Sequence, residues 1–267
     1  MVNSATELFS GKSVLITGAS SGIGRAFAYR AGAAGASLVL VARRTETLHR
    51  IADELRREYG AAVVVLPSDL ATPGAAVRLW EALRDQDIRI DVLVNNAGIG
   101  IHGDLGAGSV AAVTTQTQLN ITTLAELTAL ALPDMLARDA GTVINVASTA
   151  AYQPVPHMAV YAATKAFVLS FTRAVWAETR NTGVRVLAVS PGATDTEFFD
   201  TAGDDASLGN RRHPDDVVDS ALAGWARGTH SVVDGCSNAW LANLAPRLPI
   251  RVALTAAERS VRPSATT

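Results

Sequence analysis

The chain has one cysteine, Cys236, in 267 residues. That excludes a disulfide framework and a thiolate metal cluster. Its five histidines (His49, His102, His157, His213, His230) are scattered, with no spacing that would bring two onto one ion, so no metal is expected. Neither sign of charge dominates: 23 Lys and Arg stand against 25 Asp and Glu, the net charge is −2, and there is no basic block. Nothing here would attract nucleic acid or an anionic lipid surface. No stretch reaches the roughly 18 uninterrupted apolar residues of a membrane span, and the opening MVNSATELFSGK lacks a basic segment leading into an apolar run. The expectation is a soluble, cytoplasmic protein. What the chain does have is apolar mass: 48% hydrophobic against 18% charged residues suits one large α/β domain with a core on both faces of a sheet.

Apolar runs of strand length recur at 14–17, 38–42, 62–66, 92–95, 142–147, 184–189 and 231–234. They are continuous rather than alternating, as strands buried on both faces require, and predict seven parallel strands flanked by crossover helices. Between the first two, Ile23, Phe27, Ala31 and Ala34 have helical spacing, with Gly35 placed to stop the helix. Segment 46–59 puts Leu48, Ile51, Leu55 and Tyr59 on one stripe, and Gly60 ends it. Thr72-Pro73 reads as the cap and first turn of a helix through Val77, Trp80 and Leu83. No linker or repeat divides 1–267, which reads as a single domain, and 200–210 reads as a loop.

Thr17-Gly18-Ala19-Ser20-Ser21-Gly22-Ile23-Gly24 joins the first strand to the first of these helices. Glycines let such a turn close and let amides at the helix start approach a pyrophosphate. The spacing is not the common G-x-G-x-x-G, and a tight turn without a ligand would also satisfy it. Gly18, Ser20 and Gly22 equally match G-x-S-x-G, the nucleophile elbow of a hydrolase, with Asp195 or Asp204 and His213 or His230 as partners for Ser20. The second strand ends in Ala42-Arg43-Arg44 with no acid. A guanidinium there suits the ribose phosphate of NADP, whereas NAD calls for a carboxylate, so NADP(H) is expected over NAD. Arg43 is taken as the phosphate contact, with Ser20 adding a hydroxyl; a solvated face or a pairing with Glu46 is the plainer alternative.

Tyr161 and Lys165 lie four apart in MAVYAATKAFVLSFTRAVWAET, where Val160, Phe167, Phe171 and Val175 mark a long amphipathic helix, so the two share a face. Y-x-x-x-K alone is weak. Ser148 strengthens it by standing just past the 142–147 run, near the carboxyl end of a central strand, where doubly wound sheets place ligands.

With these residues in view, the sequence resembles the short-chain dehydrogenase/reductase family, in its T-G-x-x-x-G-x-G and Y-x-x-x-K branch of about 250 residues. The matches are Thr17–Gly24, Asp69, Asn95-Asn96-Ala97-Gly98, Asn120, Ser148, Tyr161, Lys165 and Pro191-Gly192 with Thr194, in the family's order. The resemblance implies a single doubly wound Rossmann domain and hydride transfer between NADP(H) and a carbonyl or secondary alcohol. Tyr161 would be the general acid, or the base in reverse, Ser148 would hydrogen-bond the carbonyl oxygen, and Asn120 would hold a water that links Lys165 to solvent. The cofactor would meet Gly18, Ser20, Ser21, Gly22, Ile23, Gly24, Arg43, Asp69 (at the adenine), Asn96, Ala97, Gly98, Tyr161, Lys165, Pro191, Gly192 and Thr194 (at the carboxamide). Asn95 would tie strands together. Poising a phenol near neutrality takes about three pKa units, or roughly 4 kcal/mol. An ammonium about 4 Å away supplies that only at an effective dielectric of about 20, so Lys165 is expected to lower Tyr161 from within a sheltered cleft.

Substrate, a small molecule, should meet the segments after Gly98, Ser148 and Thr194, where Ile99, Ile101, Tyr152, Val155, Met158, Phe198 and Phe199 favour a lipophilic ketone, aldehyde or secondary alcohol over a sugar. His102 and His157 are read as loop histidines. Residues 190–212 are expected to form a lid. Residues 237–267 extend past the last strand and would cover the cleft, join a subunit contact or touch a membrane surface, in that order. The 110–136 and 155–178 helices resemble those that pair across a two-fold axis in this family, implying a homodimer or homotetramer. A non-catalytic NADP-binding sensor or scaffold keeps the same fold, but such proteins typically lose the tyrosine or the lysine.

Overall fold

A computed structural model describes residues 2–199 and 211–261. Seven strands form one sheet in the order β3-β2-β1-β4-β5-β6-β7: β1 Ser13–Thr17, β2 Ser37–Ala42, β3 Val63–Pro67, β4 Val92–Asn95, β5 Gly141–Val146, β6 Val184–Ser190 and β7 Ser231–Val233. All neighbours are parallel, so each expected strand is present within a residue or so of its predicted bounds. The order reverses beside β1, which pairs with β2 on one edge and β4 on the other.

The helices are α1 Val2–Phe9, α2 Gly22–Ala33, α3 Thr45–Tyr59, α4 Ala75–Arg84, α5 Val110–Thr117, α6 Leu124–Ala137, α7 Ala159–Thr179, α8 Pro214–Ala226, α9 Cys236–Leu244 and α10 Ile250–Val261. Successive strand residues face opposite ways, and the core divides accordingly. Val14, Ile16, Leu38 and Leu40 pack with Phe9, Phe27, Leu48, Leu55 and Val217 of α1, α2, α3 and α8. Leu15, Val39 and Val41 pack with Leu79, Leu83, Leu127, Met135 and Val175 of α4, α6 and α7. With both faces covered, the loops that follow the strands' carboxyl ends gather around one cleft.

Two helix readings need correction. Tyr59 lies outside the buried stripe of α3 because the helix stops there, at left-handed Gly60 (φ 65°). The fourth helix starts at Ala75 rather than at Pro73. Thr72 is used earlier: its hydroxyl donates to the Asp69 carbonyl at 2.8 Å and accepts from Arg78 at 2.9 Å, making a turn. Val77 consequently faces solvent, while Leu79 and Leu83 are buried.

Candidate active site

The glycine loop is built by close approach. Thr17 Oγ1 accepts the backbone amides of Asn96 and Ala97 at 3.0 Å each, and Asn96 Nδ2 donates to the Thr17 carbonyl at 2.9 Å. Loop and β4 are thereby laced so tightly that a Cβ on Gly24 would stand 2.3 Å from the Gly18 carbonyl oxygen, and one on Gly18 would stand 2.7 Å from Asn96 Nδ2. Asn96 is thus a brace whose amide is spent on the loop while the residue still lines the cleft. α2 starts at Gly22 without a side-chain cap on its first amides, leaving donors and the positive end of the helix dipole facing the cleft. The cleft of about 890 Å³ runs from Arg43, Arg44 and Asp69 past this loop to Tyr161 and on to α9 and α10.

Ser148, Tyr161, Lys165 and Asn120 meet midway. Tyr161 and Lys165 lie one turn apart on α7, with Lys165 Nζ 5.8 Å from the phenol ring centre. Lys165 is 5% exposed and donates to the Val146 carbonyl at 2.8 Å. Burial lowers its pKa from 10.5 to about 8. Burial raises the Tyr161 phenol above 10, and the group that pulls it down is the Ser148 hydroxyl. Without cofactor, burial therefore moves Tyr161 opposite to the direction expected from Lys165, whose hydrogen bond points at a strand carbonyl. Ser148 also accepts from the Ala150 amide at 3.1 Å, so its oxygen is fixed at the end of β5.

Asn120 lies in a π-helical segment, Gln118–Thr123, between α5 and α6. Its Oδ1 accepts the Ile99 amide at 3.0 Å, while Nδ2 donates to the Ile99 carbonyl at 2.9 Å and to Thr164 Oγ1 at 3.0 Å. Its side chain thereby holds the loop at Ile99 to α7. Gly98 stands against this cluster, where a Cβ would approach Asn120 Oδ1 to 3.2 Å and Lys165 Nζ to 3.4 Å. Asn95 ties strands as expected, donating to Asn145 at 3.0 Å and Thr128 at 3.1 Å.

At the far end of the cleft Arg44 is more engaged than Arg43. It donates to Ser20 Oγ at 3.0 Å and pairs with Glu197 at 2.6 Å, not with Glu46, while Arg43 lines the cleft exposed. Asp69 lines it too, with Oδ1 accepting the Ala71 amide. Pro191, Gly192 and Thr194 line the cleft as well; Thr194 donates to the Gly192 carbonyl at 3.1 Å, and a Cβ on Gly192 would meet Asn238 at 2.3 Å. Ser21, Gly22, Ile23 and Ala97 also line the cleft.

The hydrolase alternative fails on geometry. Ser20 is held by Arg44, His213 caps α8 by accepting the Asp215 amide, and His230 bonds Ser231 at 2.7 Å beside Trp176. Asp204 lies outside the described residues, as does 200–210 of the expected lid. Ile99, Tyr152, Val155, Met158, Phe198 and Phe199 line the substrate half, but Ile101 does not. His102 is tied to the Val261 carbonyl and His157 to Asp104, and neither lines the cleft. Leu241, Ala242, Ala245, Ser260 and Val261 bring the extension to the cleft wall. Glu197 and the Arg212–Asp234 pair carried no sequence signal, being matched to partners remote in the chain, and Asn238, in the first turn of α9, donates to the Asp234 carbonyl at 2.8 Å.

The family model described as short chain dehydrogenase matches residues 12–207. The chain belongs to the short-chain dehydrogenase/reductase family. Among its relatives, the NADP-dependent 3-hydroxy acid dehydrogenase of Schizosaccharomyces pombe is 35% identical over 190 residues, covering 70% of this chain and 73% of that protein. A short-chain dehydrogenase from Sphingobium yanoikuyae, solved in complex with NADPH, superposes with a TM-score of 0.81 at 36% identity, covering 88% of this chain and 93% of that one. The bulky-bulky ketone specific alcohol dehydrogenase from Comamonas testosteroni gives 0.76 at 29% identity, covering 88% and 92%. As a family member the chain is an oxidoreductase with a dinucleotide-binding fold. Among its described residues no helix is long and apolar enough to cross a membrane.

Proposed function

We propose that this dehydrogenase/reductase is an NADP(H)-dependent carbonyl reductase acting on bulky, lipophilic ketones or aldehydes and the corresponding alcohols. The observation that carries the reading is the convergence of Ser148, Tyr161 and Lys165 at the end of β5, in the same cleft as the uncapped start of α2. The glycine cradle, which side chains would fill, and the Arg44–Ser20 pair fit a phosphorylated dinucleotide. When bound, that cofactor supplies the hydride. Gly18, Ser21, Gly22, Ile23 and Gly24 would receive its pyrophosphate, Arg44 with Ser20 and Arg43 its ribose phosphate, and Pro191, Gly192 and Thr194 its carboxamide.

Tyr161 keeps its proton at neutral pH, because burial raises the phenol, and so is set to donate it to a carbonyl oxygen. Ser148 points a hydroxyl at the same place, where negative charge develops, and strengthens as it does so. Lys165 is still protonated at neutral pH, just below its own titration, and supplies positive charge where water is excluded. Asn120 positions Ile99 and α7 around them. The substrate half carries apolar side chains, and the cations among the described lining residues are Arg43 and Arg44 at the other end and Lys165 in the catalytic cluster. Among the described residues a carboxylate-bearing substrate thus finds no dedicated partner, which favours neutral ketones over the hydroxy acid named for the fission-yeast relative. The apolar side chains of Leu136 and Phe167 left exposed on α6 and α7 suit pairing with a second copy, checked by the mass in solution.

The test is NADPH oxidation over paired neutral and carboxylate-bearing ketones. Turnover of the neutral set, lost by at least a thousandfold (roughly 4 kcal/mol) in Tyr161→Phe, supports the reading. Equal or better turnover of the carboxylates, or full activity without the phenol, would sink it.

A further inference from the structure

Over the start of α2 a guanidinium, two hydroxyls and a carboxylate meet. Arg44 donates through Nη2 and Nε to Ser20 Oγ at 3.0 and 3.3 Å, and its Nη2 lies 2.6 Å from Glu197 Oε2. The Glu197 carboxyl also accepts from Ser21 and lies near Arg25, and these contacts hold it below the usual carboxylate range. A negative group drawn from the loop after β6 therefore engages the same guanidinium that the ribose phosphate needs. Its neighbours in the chain reach both halves of the cleft. Thr196 lies where a Cβ on Gly22 would stand 2.6 Å from its methyl, and the Phe198 ring is centred 5.3 Å from that of Tyr161.

We propose that Glu197 is a specificity-determining residue: it competes with the ribose phosphate of NADP(H) for Arg44, and so sets how far NADP(H) is preferred over NAD(H). The inference rests on the reading of Arg44 as the phosphate contact. Both partners are about half exposed, 46% and 49% for the two side chains, so water screens the bridge and it exchanges readily. A phosphate carrying between one and two charges, able to take both arms of the guanidinium, displaces one screened carboxylate. It must also tolerate that carboxylate nearby once displaced. NAD(H) makes no such demand and leaves the bridge in place.

The experiment is fluorescence titration of NADPH and NADH against wild type, Glu197→Gln, Arg44→Ala and the double variant, at low and high salt. Removing the charge at Glu197 is expected to tighten NADPH by about three- to tenfold, in line with the strength of exposed bridges, and to leave NADH within about twofold. The gain should shrink in high salt and vanish when Arg44 is absent. Both side chains are exposed, so the variants should keep wild-type melting temperatures. A purely structural role would move the two cofactors together and overturn the proposal, as would no change, weaker NADPH binding, or a gain that survives Arg44→Ala. If wild type binds NADH more tightly, or Arg44→Ala leaves the cofactor ratio alone, the NADP(H) reading falls and this inference with it. If wild type prefers NADPH through Arg44 and Glu197→Gln is silent, only the inference falls.

Discussion

Lys165 is an ammonium kept where water has little access: it is 5% exposed, bonded to a strand carbonyl, and faces no carboxylate among the described ion pairs. Its pKa falls from 10.5 to about 8 through burial alone. At 1.36 kcal/mol per unit, folding with the proton on costs about 3 kcal/mol. The depressed value means that the unfolded chain binds more protons than the native one between about pH 8 and 10.5. Stability of the wild type should therefore rise with pH across that window, and the burden is fully present below it. Lys165→Met keeps the length of the side chain and removes the charge. It also removes the bond to Val146, worth about 1 kcal/mol, so the expected net gain at pH 7 is about 2 kcal/mol, or roughly 4 to 8 °C in Tm. Catalysis should collapse in the same variant.

The assay is urea unfolding of both proteins, without added cofactor, from pH 7 to 9.5. By pH 9.5 the wild type should have shed about half of its disadvantage and the two curves should have converged to within about 1 kcal/mol. Other groups titrate in this range, but they are common to both proteins and cancel in the difference. A gap that ignores pH, or a wild type more stable than the methionine variant at pH 7, would refute the idea that the site holds a destabilising charge for the sake of function.

Three further outcomes follow from the same geometry. Tyrosinate absorbance in the protein without cofactor should show no difference between wild type and Tyr161→Phe until the pH exceeds about 10, because burial raises that phenol; a difference appearing near pH 8 would restore Lys165 as the dominant influence. Arg212→Ala should destabilise by about 2 to 3 kcal/mol in urea, since Asp234 is 0% exposed and would keep only Ser220 and its turn; the figure is reduced from a fully buried pair because Arg212 itself is partly solvated. Gly24→Ala should weaken NADPH binding by more than about tenfold while leaving far-ultraviolet circular dichroism intact, because a methyl 2.3 Å from the Gly18 carbonyl forces helix and loop apart. Wild-type affinity in that variant would mean that the loop is not the cradle.

The sheet was legible because its strands are runs of branched aliphatics too long to be accidents and too short to be helices, and because parallel strands need helices between them. Tyr161 and Lys165 were legible because a spacing of four on a helix carries its own geometry. The π-helical turn at Asn120 was not, since apolar periodicity in QLNITT does not separate one extra residue per turn from none. Nor was the pairing of Arg44 with Glu197: the end of β2 shows a missing acid, but nothing in the chain says that a loop after β6 will supply one.

The upward direction at Tyr161 has a general cause. Coulomb attraction between ammonium and phenolate grows as the dielectric falls, which by itself makes a sheltered cleft the place for Lys165 to act. The same shelter, however, removes water from both groups. It raises the phenol and lowers the ammonium, and both shifts favour the neutral pair. The attraction must therefore exceed two desolvation terms, whereas in a hydrated site it would meet neither. Lys165 is also aimed at the Val146 carbonyl, and only the Ser148 hydroxyl acts on Tyr161 in the downward direction. The protein by itself thus builds a proton donor. Making Tyr161 a base needs positive charge beyond what these side chains provide, and an oxidised nicotinamide would carry it.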